Sequence, residues 1–343
     1  MSESDSKRFQ TVSPLFGDTH NGVRRPELEP REIVQGAFLR SWARVRELLA
    51  EEAVEYVMAV TLPDSDEVIY RALRFETHPF MRESLRSDLV IGRHAQCDIH
   101  LESDESLSLR HFLLRMFKAK CGDVSLRCMD LFTVKGLRDQ DGAVFRNAQT
   151  QSHLFFRAGD YVVLLLNRGA SNLPAEGGKA WAALQEKSAG RFSSTNPLPK
   201  HSLQPRPRLQ LVSDMGAHPE YTSVEGPLHL GTVDLASDKA IGVVSLRGWD
   251  TDVSIPLPAK ALARGIMVGR YARCQIRTEI HGDFSELSRV HLLLLLDESG
   301  LWAIDTASSN GTTMDGRYFR TARLGGEALI ELPGEITLRW QPV

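Results

Sequence analysis

Cysteine is scarce in this sequence, and the few present are not placed to bind a metal or to form a redox pair. The four cysteines among 343 residues are Cys97, Cys121, Cys128 and Cys274. No two of them form a C-x-x-C pair, and none has zinc-finger spacing to a histidine. We therefore predict no metal site, and we expect the thiols to pack as small apolar side chains.

The signature motifs of enzymes are missing as well. The sequence contains no G-x-x-x-x-G-K-[ST] loop, no G-x-G-x-x-G, no H-E-x-x-H and no G-x-S-x-G. Its acidic pairs, such as Asp64 with Asp66 and Asp250 with Asp252, lie in turn-like contexts, where aspartate is common for backbone reasons. We predict that the protein is not an enzyme and uses no cofactor.

Neither sign of charge dominates, and the apolar runs are short. Lys and Arg number 41 against 44 Asp and Glu, and the basic residues are spread along the chain. Nucleic-acid binding is therefore not expected, and any anion site must be local. The leucine-rich runs at 162–166 and 292–296 are too short to span a bilayer and are typical of buried strands. The first residues, MSESDSKRFQ, lack the apolar core of a secretory signal, so we expect a cytoplasmic protein without a membrane span.

The pattern of apolar residues divides the chain into five segments. Residues 1–30 are polar, which predicts a disordered tail. Residues 31–52 carry apolar side chains on one helical face, which predicts an amphipathic helix that docks onto the neighbouring domain. Short strands with turn signals between them then fill 53–167 and 211–343. The intervening residues 168–210 hold five prolines and are predicted to be a flexible linker with a short helix near 180–187.

The two strand-rich segments repeat one another. Residues 89–99, LVIGRHAQCDI, parallel residues 266–276, IMVGRYARCQI. Each is followed by a Ser-x-x-His, at 108–111 and 288–291, and then by an apolar strand, an aspartate and a glycine turn. Landmarks in the same order predict an all-β fold with two β-sandwiches in tandem.

The second copy carries a set of hydrogen-bond donors suited to phosphate. Loops at one end of a sandwich converge, so residues distant in sequence can build one site. Here they would bring together Arg270, Ser288, Arg289, Ser309 and Asn310. Because guanidinium groups bind two phosphate oxygens at once, while hydroxyl and amide groups complete the shell, this set favours a dianionic phosphate.

These motifs resemble those of the forkhead-associated (FHA) family of phosphothreonine-binding β-sandwich domains. The family pattern of Gly-Arg, Ser-Arg-x-His and Asn-Gly stands here at 269–270, 288–291 and 310–311. The resemblance implies that Arg270 and Ser288 bind the phosphate and that Arg289 adds to the phosphate pocket. It also implies that Ser309 and Asn310 hold the peptide main chain. Under the same resemblance, the roles of Gly269, His291 and Gly311 are architectural.

The first copy departs from the family pattern. Its Gly-Arg, Ser108 and His111 are present, but Leu109 stands where the family has arginine, and Arg110 comes one place late. Lys135 aligns with Asn310 and lacks its acceptor oxygen. Two interpretations remain: Arg93, Ser108 and Lys135 hold an anion as a degenerate site, or the domain serves scaffolding, dimerisation or docking.

The resemblance implies a signalling adaptor or regulator that binds a threonine-phosphorylated protein. The tandem layout suits a bacterial regulator working beside Ser/Thr kinases. Thr11, with an arginine three residues before it, is a candidate regulatory phosphosite, through which the tail would occupy the protein's own second domain or that of a second copy. The alternative is an assembly scaffold that binds unphosphorylated partners, as in a secretion machine or another multiprotein machine.

Overall fold

The computed structural model describes residues 28–75, 86–118, 122–188, 239–248, 251–271, 273–277 and 286–343. Within these ranges the chain forms two β-sandwiches in tandem, preceded by a helix, which confirms the predicted fold class. Residues 1–27 of the predicted tail, with Thr11, lie outside the described residues, and so do linker residues 189–210, residues 211–238 of the second predicted domain and Cys121.

Each sandwich consists of a six-stranded and a five-stranded sheet. The strands of the first sandwich are β1 (Tyr56–Thr61), β2 (Val68–Leu73), β3 (Arg86–Gly92), β4 (Ile99–His100), β5 (Phe112–Lys118), β6 (Val124–Asp130), β7 (Leu137–Asp139), β8 (Val144–Phe145), β9 (Asn147–Thr150), β10 (Leu154–Ala158) and β11 (Tyr161–Asn167). The strands of the second are β12 (Ala240–Gly248), β13 (Thr251–Pro258), β14 (Ile266–Gly269), β15 (Ile276–Arg277), β16 (Leu292–Asp297), β17 (Gly300–Asp305), β18 (Thr313–Met314), β19 (Arg317–Tyr318), β20 (Thr321–Arg323), β21 (Ala328–Leu332) and β22 (Ile336–Pro342).

The sequence repeat is also a repeat of topology. The six-stranded sheets have the orders β2-β1-β11-β10-β7-β8 and β13-β12-β22-β21-β18-β19, and the five-stranded sheets have the orders β4-β3-β5-β6-β9 and β15-β14-β16-β17-β20. Register agrees too, since Leu89 faces Leu114 in the first sandwich and the matching Ile266 faces Leu294 in the second. Residues at matching positions of the two motifs therefore occupy matching places in the two sheets.

Helix α1 (Pro30–Leu49) packs on the outer face of the first six-stranded sheet, as its apolar face predicts. Proline at the first position favours helix initiation, and the Glu32 carboxylate accepts a hydrogen bond from the Glu29 amide at 3.2 Å. Its buried side is centred on Phe38 and Trp42, which stack on each other with ring centroids 5.2 Å apart.

The first part of the predicted linker is folded. Residues Arg168–Asn172 form a 3-10 turn, and α2 (Gly177–Ser188) follows, longer than the short helix expected near 180–187. The reason is a second apolar face: Trp181 and Leu184 pack against α1 and the sheet, and the Trp42 indole donates to the Pro174 carbonyl at 3.0 Å. Within the described ranges no helix has the length and apolar character needed to cross a bilayer.

The two leucine-rich runs are strands that are buried on both faces. In β11, Val163 and Leu165 point into the first sandwich, while Val162 and Leu164 meet the helices. In β16, Leu292 and Leu294 belong to the core of the second sandwich, whereas Leu293 and Leu295 belong to another cluster. Continuous apolar runs are typical of strands covered on both sides, because alternating side chains then all meet apolar surroundings.

That other cluster joins the five-stranded sheets of the two sandwiches. Its buried members come from both halves of the chain: Val90, Cys97, Leu113, Met129, Leu131, Met267, Cys274, Val290, Leu293, Leu295, Trp302, Ile304 and Ala307. The chain thus stacks helices, the first sandwich and the second sandwich in order. Burial of apolar surface on this scale stabilises docking of the sandwiches on each other.

Candidate functional site

The candidate site lies at one end of the second sandwich, where three loops meet. They are residues 269–271 after β14, residues 286–291 before β16 and residues 305–312 between β17 and β18. The Arg270 amide donates to the Ser288 carbonyl at 3.3 Å, which joins the first loop to the second. Because β16 is paired with both β14 and β17, the three loops lie at the same end of the sheet.

Glycine is required where the first loop meets the second. A Cβ atom at Gly269 would lie 2.4 Å from the carbonyl oxygen of Arg289, a backbone atom that cannot move aside. The matching Gly92 has the same restriction, with 2.4 Å to the carbonyl oxygen of Leu109. The Gly-Arg motif therefore marks a close approach of two backbones in both sandwiches.

His291 ties the second loop to the third. Its Nδ1 accepts a hydrogen bond from the Ser288 amide at 3.2 Å, so the proton is on Nε2, which donates to the Gly311 carbonyl at 3.1 Å. Burial lowers the pKa of His291 although the Asp305 carboxylate opposes this shift. The ring is thus neutral at pH 7 and fixes loop geometry without contributing charge.

The third loop is organised around the buried Asp305 carboxylate. It accepts hydrogen bonds from the Ser308 amide at 2.7 Å and from the Thr312 hydroxyl at 2.6 Å. Within the turn, Ala307 takes a φ of 63° and Gly311 a φ of 78°. The left-handed Ala307 is an uncommon conformation for a residue with a side chain, and it directs the Ala307 carbonyl toward the first sandwich.

The residues predicted to bind the phosphate lie at the mouth of these loops. Arg270 and Arg289 are exposed, and the Arg270 Nε donates to the Leu287 carbonyl at 2.8 Å, which holds the side chain against the second loop. Ser288 is 6% exposed, and its Oγ accepts a hydrogen bond from the Ser309 amide at 3.0 Å. The structure thus brings Arg270, Ser288 and Ser309 together, with Arg289 extending from the same loop.

An open groove continues from this cluster along the surface. Its volume is about 740 Å³, and its lining includes Asn310, Glu286, Tyr318, Glu331 and Pro333. The Asn310 side-chain amide donates to the Glu286 carbonyl at 2.7 Å, which orients the asparagine at the rim. Sequence reasoning missed the two glutamates and the tyrosine, because they belong to no motif and only the fold places them beside Asn310.

The first sandwich keeps the same framework around Arg93, Ser108 and Lys135. The Ser108 amide donates to the Nδ1 of His111 at 3.1 Å, and burial lowers the pKa of His111 to about 4. Arg93 and Ser108 are half-buried, whereas Lys135 is exposed. The framework of the loops is therefore repeated, although the side chains that would bind a peptide are not.

A carboxylate, that of Asp104, lies near Lys135 and His111 in the first sandwich. Asp104 is 6% exposed and accepts hydrogen bonds from the amides of Asp160 at 2.8 Å and Ser106 at 2.7 Å. Although burial raises the pKa of Asp104, these hydrogen bonds and the charge of Lys135 bring it below its ordinary value. A fixed negative charge next to Lys135 opposes binding of a dianionic phosphate in the first sandwich.

Comparisons with known proteins agree with the motifs. Residues 266–332 match the family model described as FHA domain. No curated protein matches the sequence. Among the residues that the structure describes, no cluster of histidine, cysteine, aspartate or glutamate could hold a metal ion.

Several solved structures are similar to part of the chain. FHA-1 of Mycobacterium tuberculosis Rv1747 is 23% identical, over 30% of this chain and 98% of that chain, with a TM-score of 0.24. The Slr1951 protein from Synechocystis sp. is 17% identical, over 30% and 98%, with a TM-score of 0.26. A chain solved in a study of phosphothreonine-dependent FHA domain interactions is 22% identical, over 29% and 97%, with a TM-score of 0.24.

Proposed function

We propose that this chain, whose residues 266–332 match the FHA domain, is a phosphothreonine-dependent protein-binding module. One observation carries the proposal: Arg270, Ser288 and Asn310 converge at one end of the second sandwich, beside an open groove. The cluster offers donors for a phosphate, and the groove offers room for the peptide that carries it.

In this proposal Arg270 and Ser288 contact the phosphate. The Arg270 guanidinium pairs with two phosphate oxygens, and its contact with the Leu287 carbonyl restricts it in advance. Ser288 donates its hydroxyl hydrogen to a third oxygen, and Arg289 adds a further positive charge at the surface. The neutral His291 and the two flanking loops keep these groups at fixed separations.

Ser309 and Asn310 would bind the peptide main chain next to the phosphothreonine. Asn310 offers an amide oxygen to a peptide N–H while its nitrogen is held by the Glu286 carbonyl. Glu286 and Glu331 line the groove into which flanking residues would extend. Acidic lining favours lysine or arginine at those flanking positions.

The partner in this proposal is a threonine-phosphorylated protein, and the chain is an adaptor or regulator in kinase signalling rather than an enzyme. The first sandwich has the Asp104 carboxylate near Lys135 and would not bind phosphothreonine. Occupation of the second site by the protein's own tail through Thr11 stays a prediction, since the tail lies outside the described residues.

The test is a titration of the full chain with a degenerate phosphothreonine peptide pool and its unphosphorylated twin. We expect binding of the phosphorylated pool, enriched in peptides with lysine or arginine near the phosphothreonine. The unphosphorylated peptides lack the dianionic phosphate, so they should bind at least about a hundredfold more weakly than the phosphorylated ones. Equal binding of both pools would instead support the assembly scaffold, in which a sandwich binds an unphosphorylated partner.

A further inference from the structure

Arg110 of the first sandwich reaches across to the site of the second. Its side chain is 6% exposed, and its Nε donates to the Ala307 carbonyl at 2.9 Å. One of its terminal nitrogens also donates to that carbonyl and lies 3.4 Å from the Ser288 Oγ. The guanidinium thus contacts both the second and the third loop of the phosphothreonine site from behind.

The contact is one half of a reciprocal arrangement between the two sandwiches. Arg273, in the second sandwich, donates to the Phe132 carbonyl of the first at 3.0 Å. Phe132 occupies the position that matches Ala307, and it also has a positive φ, of 55°. In each sandwich, therefore, an arginine from the other one donates to the carbonyl two residues after the loop aspartate, Asp130 or Asp305.

Arg110 does more than its counterpart, because its second contact is the serine of the phosphate site. A serine hydroxyl has two acceptor lone pairs and one hydrogen to donate. The Ser309 amide occupies one lone pair of Ser288 at 3.0 Å, and Arg110 occupies the other at 3.4 Å. What remains is the hydroxyl hydrogen, which can then be donated only outward, to an acceptor such as a phosphate oxygen.

The charge of Arg110 has the same effect. Among the described residues it forms no ion pair with a carboxylate at contact distance. The carboxylate whose charge acts on the pKa of Arg110, raising it, is that of Asp305. Burial lowers the pKa of Arg110, but an arginine remains charged at neutral pH. A buried positive charge behind Ser288 favours an anion in front of it.

We propose that Arg110 is a positioning residue for the phosphothreonine site, so that the docked first sandwich completes the site of the second. The effect of Arg110 on peptide binding rests on the proposed function. Its effect on the Arg110–Ser288–Ser309 hydrogen bonds does not, and can be measured without a ligand. Under this proposal the first sandwich contributes to the binding site of the second and is not itself a phosphothreonine-binding domain.

The test compares Arg110→Gln with Arg127→Gln in the full chain. Arg127 is an equally buried arginine of the first sandwich, 6% exposed, and it also donates to a carbonyl of the second sandwich, that of Ala263. Ala263 lies in α3 (Ala259–Arg264), before β14, at the opposite end of that strand from the site. The two variants therefore lose similar interface contacts, and only one of them loses a contact to Ser288.

Two readouts are needed: affinity for the phosphothreonine peptide pool, and hydrogen exchange of the Ser309 amide without peptide. We expect Arg110→Gln to weaken binding about tenfold and to speed Ser309 exchange to a similar degree, with Arg127→Gln close to wild type in both. Arg110→Lys keeps the charge but loses the paired hydrogen bonds to the Ala307 carbonyl. Its affinity and its Ser309 exchange rate should lie between those of Arg110→Gln and Arg127→Gln.

Equal losses in both glutamine variants, or no change in either readout for Arg110→Gln, would overturn the proposal. If the wild type does not bind the phosphothreonine peptide pool, the proposed function is wrong, whatever the role of Arg110. Ser309 exchange then still decides the inference: a change specific to Arg110→Gln supports the positioning role, and its absence removes it.

Discussion

Replacement of Arg115 by alanine should lower the free energy of unfolding by about 3–5 kcal/mol. Arg115 is fully buried between the sandwiches, with one terminal nitrogen 3.1 Å from Asp88 of the first and its Nε 2.9 Å from Asp297 of the second. The guanidinium also lies over the Trp302 ring, 5.1 Å from its centroid. With alanine, the two buried carboxylates would lose the cation that they share. Their desolvation would then be left without compensation, which costs more than the lost packing alone.

Chemical denaturation of the full chain measures this loss directly. The control is Arg44→Ala, which breaks an exposed pair with Glu47 at 2.8 Å on the surface of α1. That change should leave the free energy of unfolding nearly unchanged, since solvent screens such pairs. If Arg115→Ala unfolds at the same denaturant concentration as Arg44→Ala, the sandwiches do not share a buried ionic contact in solution.

Replacement of Asp305 by alanine should reduce both stability and phosphopeptide binding. The carboxylate holds the Ser308 amide and the Thr312 hydroxyl, and its removal would leave these buried donors without their acceptor. We expect a loss of about 3 kcal/mol in the free energy of unfolding. Ser309 and Asn310 follow directly on the released turn, so peptide affinity should fall by at least about tenfold.

The matched variant is Asp130→Ala, at the equivalent position of the first sandwich. The Asp130 carboxylate likewise accepts from its own turn, with the Thr133 hydroxyl at 2.5 Å. This variant should lose stability by a comparable amount and keep peptide affinity within about twofold, measured where both proteins remain folded. Retention of full affinity by Asp305→Ala would show that the third loop is not part of the binding site.

Much of the architecture could be predicted from the sequence because the two copies carry the same landmarks at the same spacing. Residues 89–99 and 266–276 predict the same strand and loop twice, and the structure gives both the same neighbours and register. The amphipathic face of 31–52 likewise predicts a docked helix, observed as Pro30–Leu49. The FHA match at 266–332 agrees with the motifs of the second copy.

The packing of one sandwich on the other could not be predicted. The run at 292–296 indicates a strand buried on two faces, but the sequence does not reveal what covers the second face. The covering sheet comes from residues far away along the chain, such as Leu113 and Met129. No local pattern encodes such a contact, because alternation along a strand reports burial and not the identity of the neighbour.

The position of Arg110 illustrates the same limit. In the sequence it stands one place after the position where the family has arginine, and a degenerate motif is the natural interpretation. Arg110 matches Val290 of the second sandwich, and Val290 belongs to the cluster between the two sandwiches. In the structure this position faces the second sandwich, where Arg110 contacts Ala307 and Ser288. The shifted arginine is therefore missing from its own site and present at the other.

A comparison of Arg270→Ala with Arg93→Ala tests the phosphothreonine site of the second sandwich. The two arginines occupy matching positions after the glycine of β14 and of β3, so both variants remove the same group from the same framework. We expect Arg270→Ala to weaken binding of the phosphothreonine peptide pool by roughly thirtyfold or more, and Arg93→Ala to leave it within about twofold. Equal losses in the two variants, or undiminished binding by Arg270→Ala, would contradict a phosphothreonine site built around Arg270.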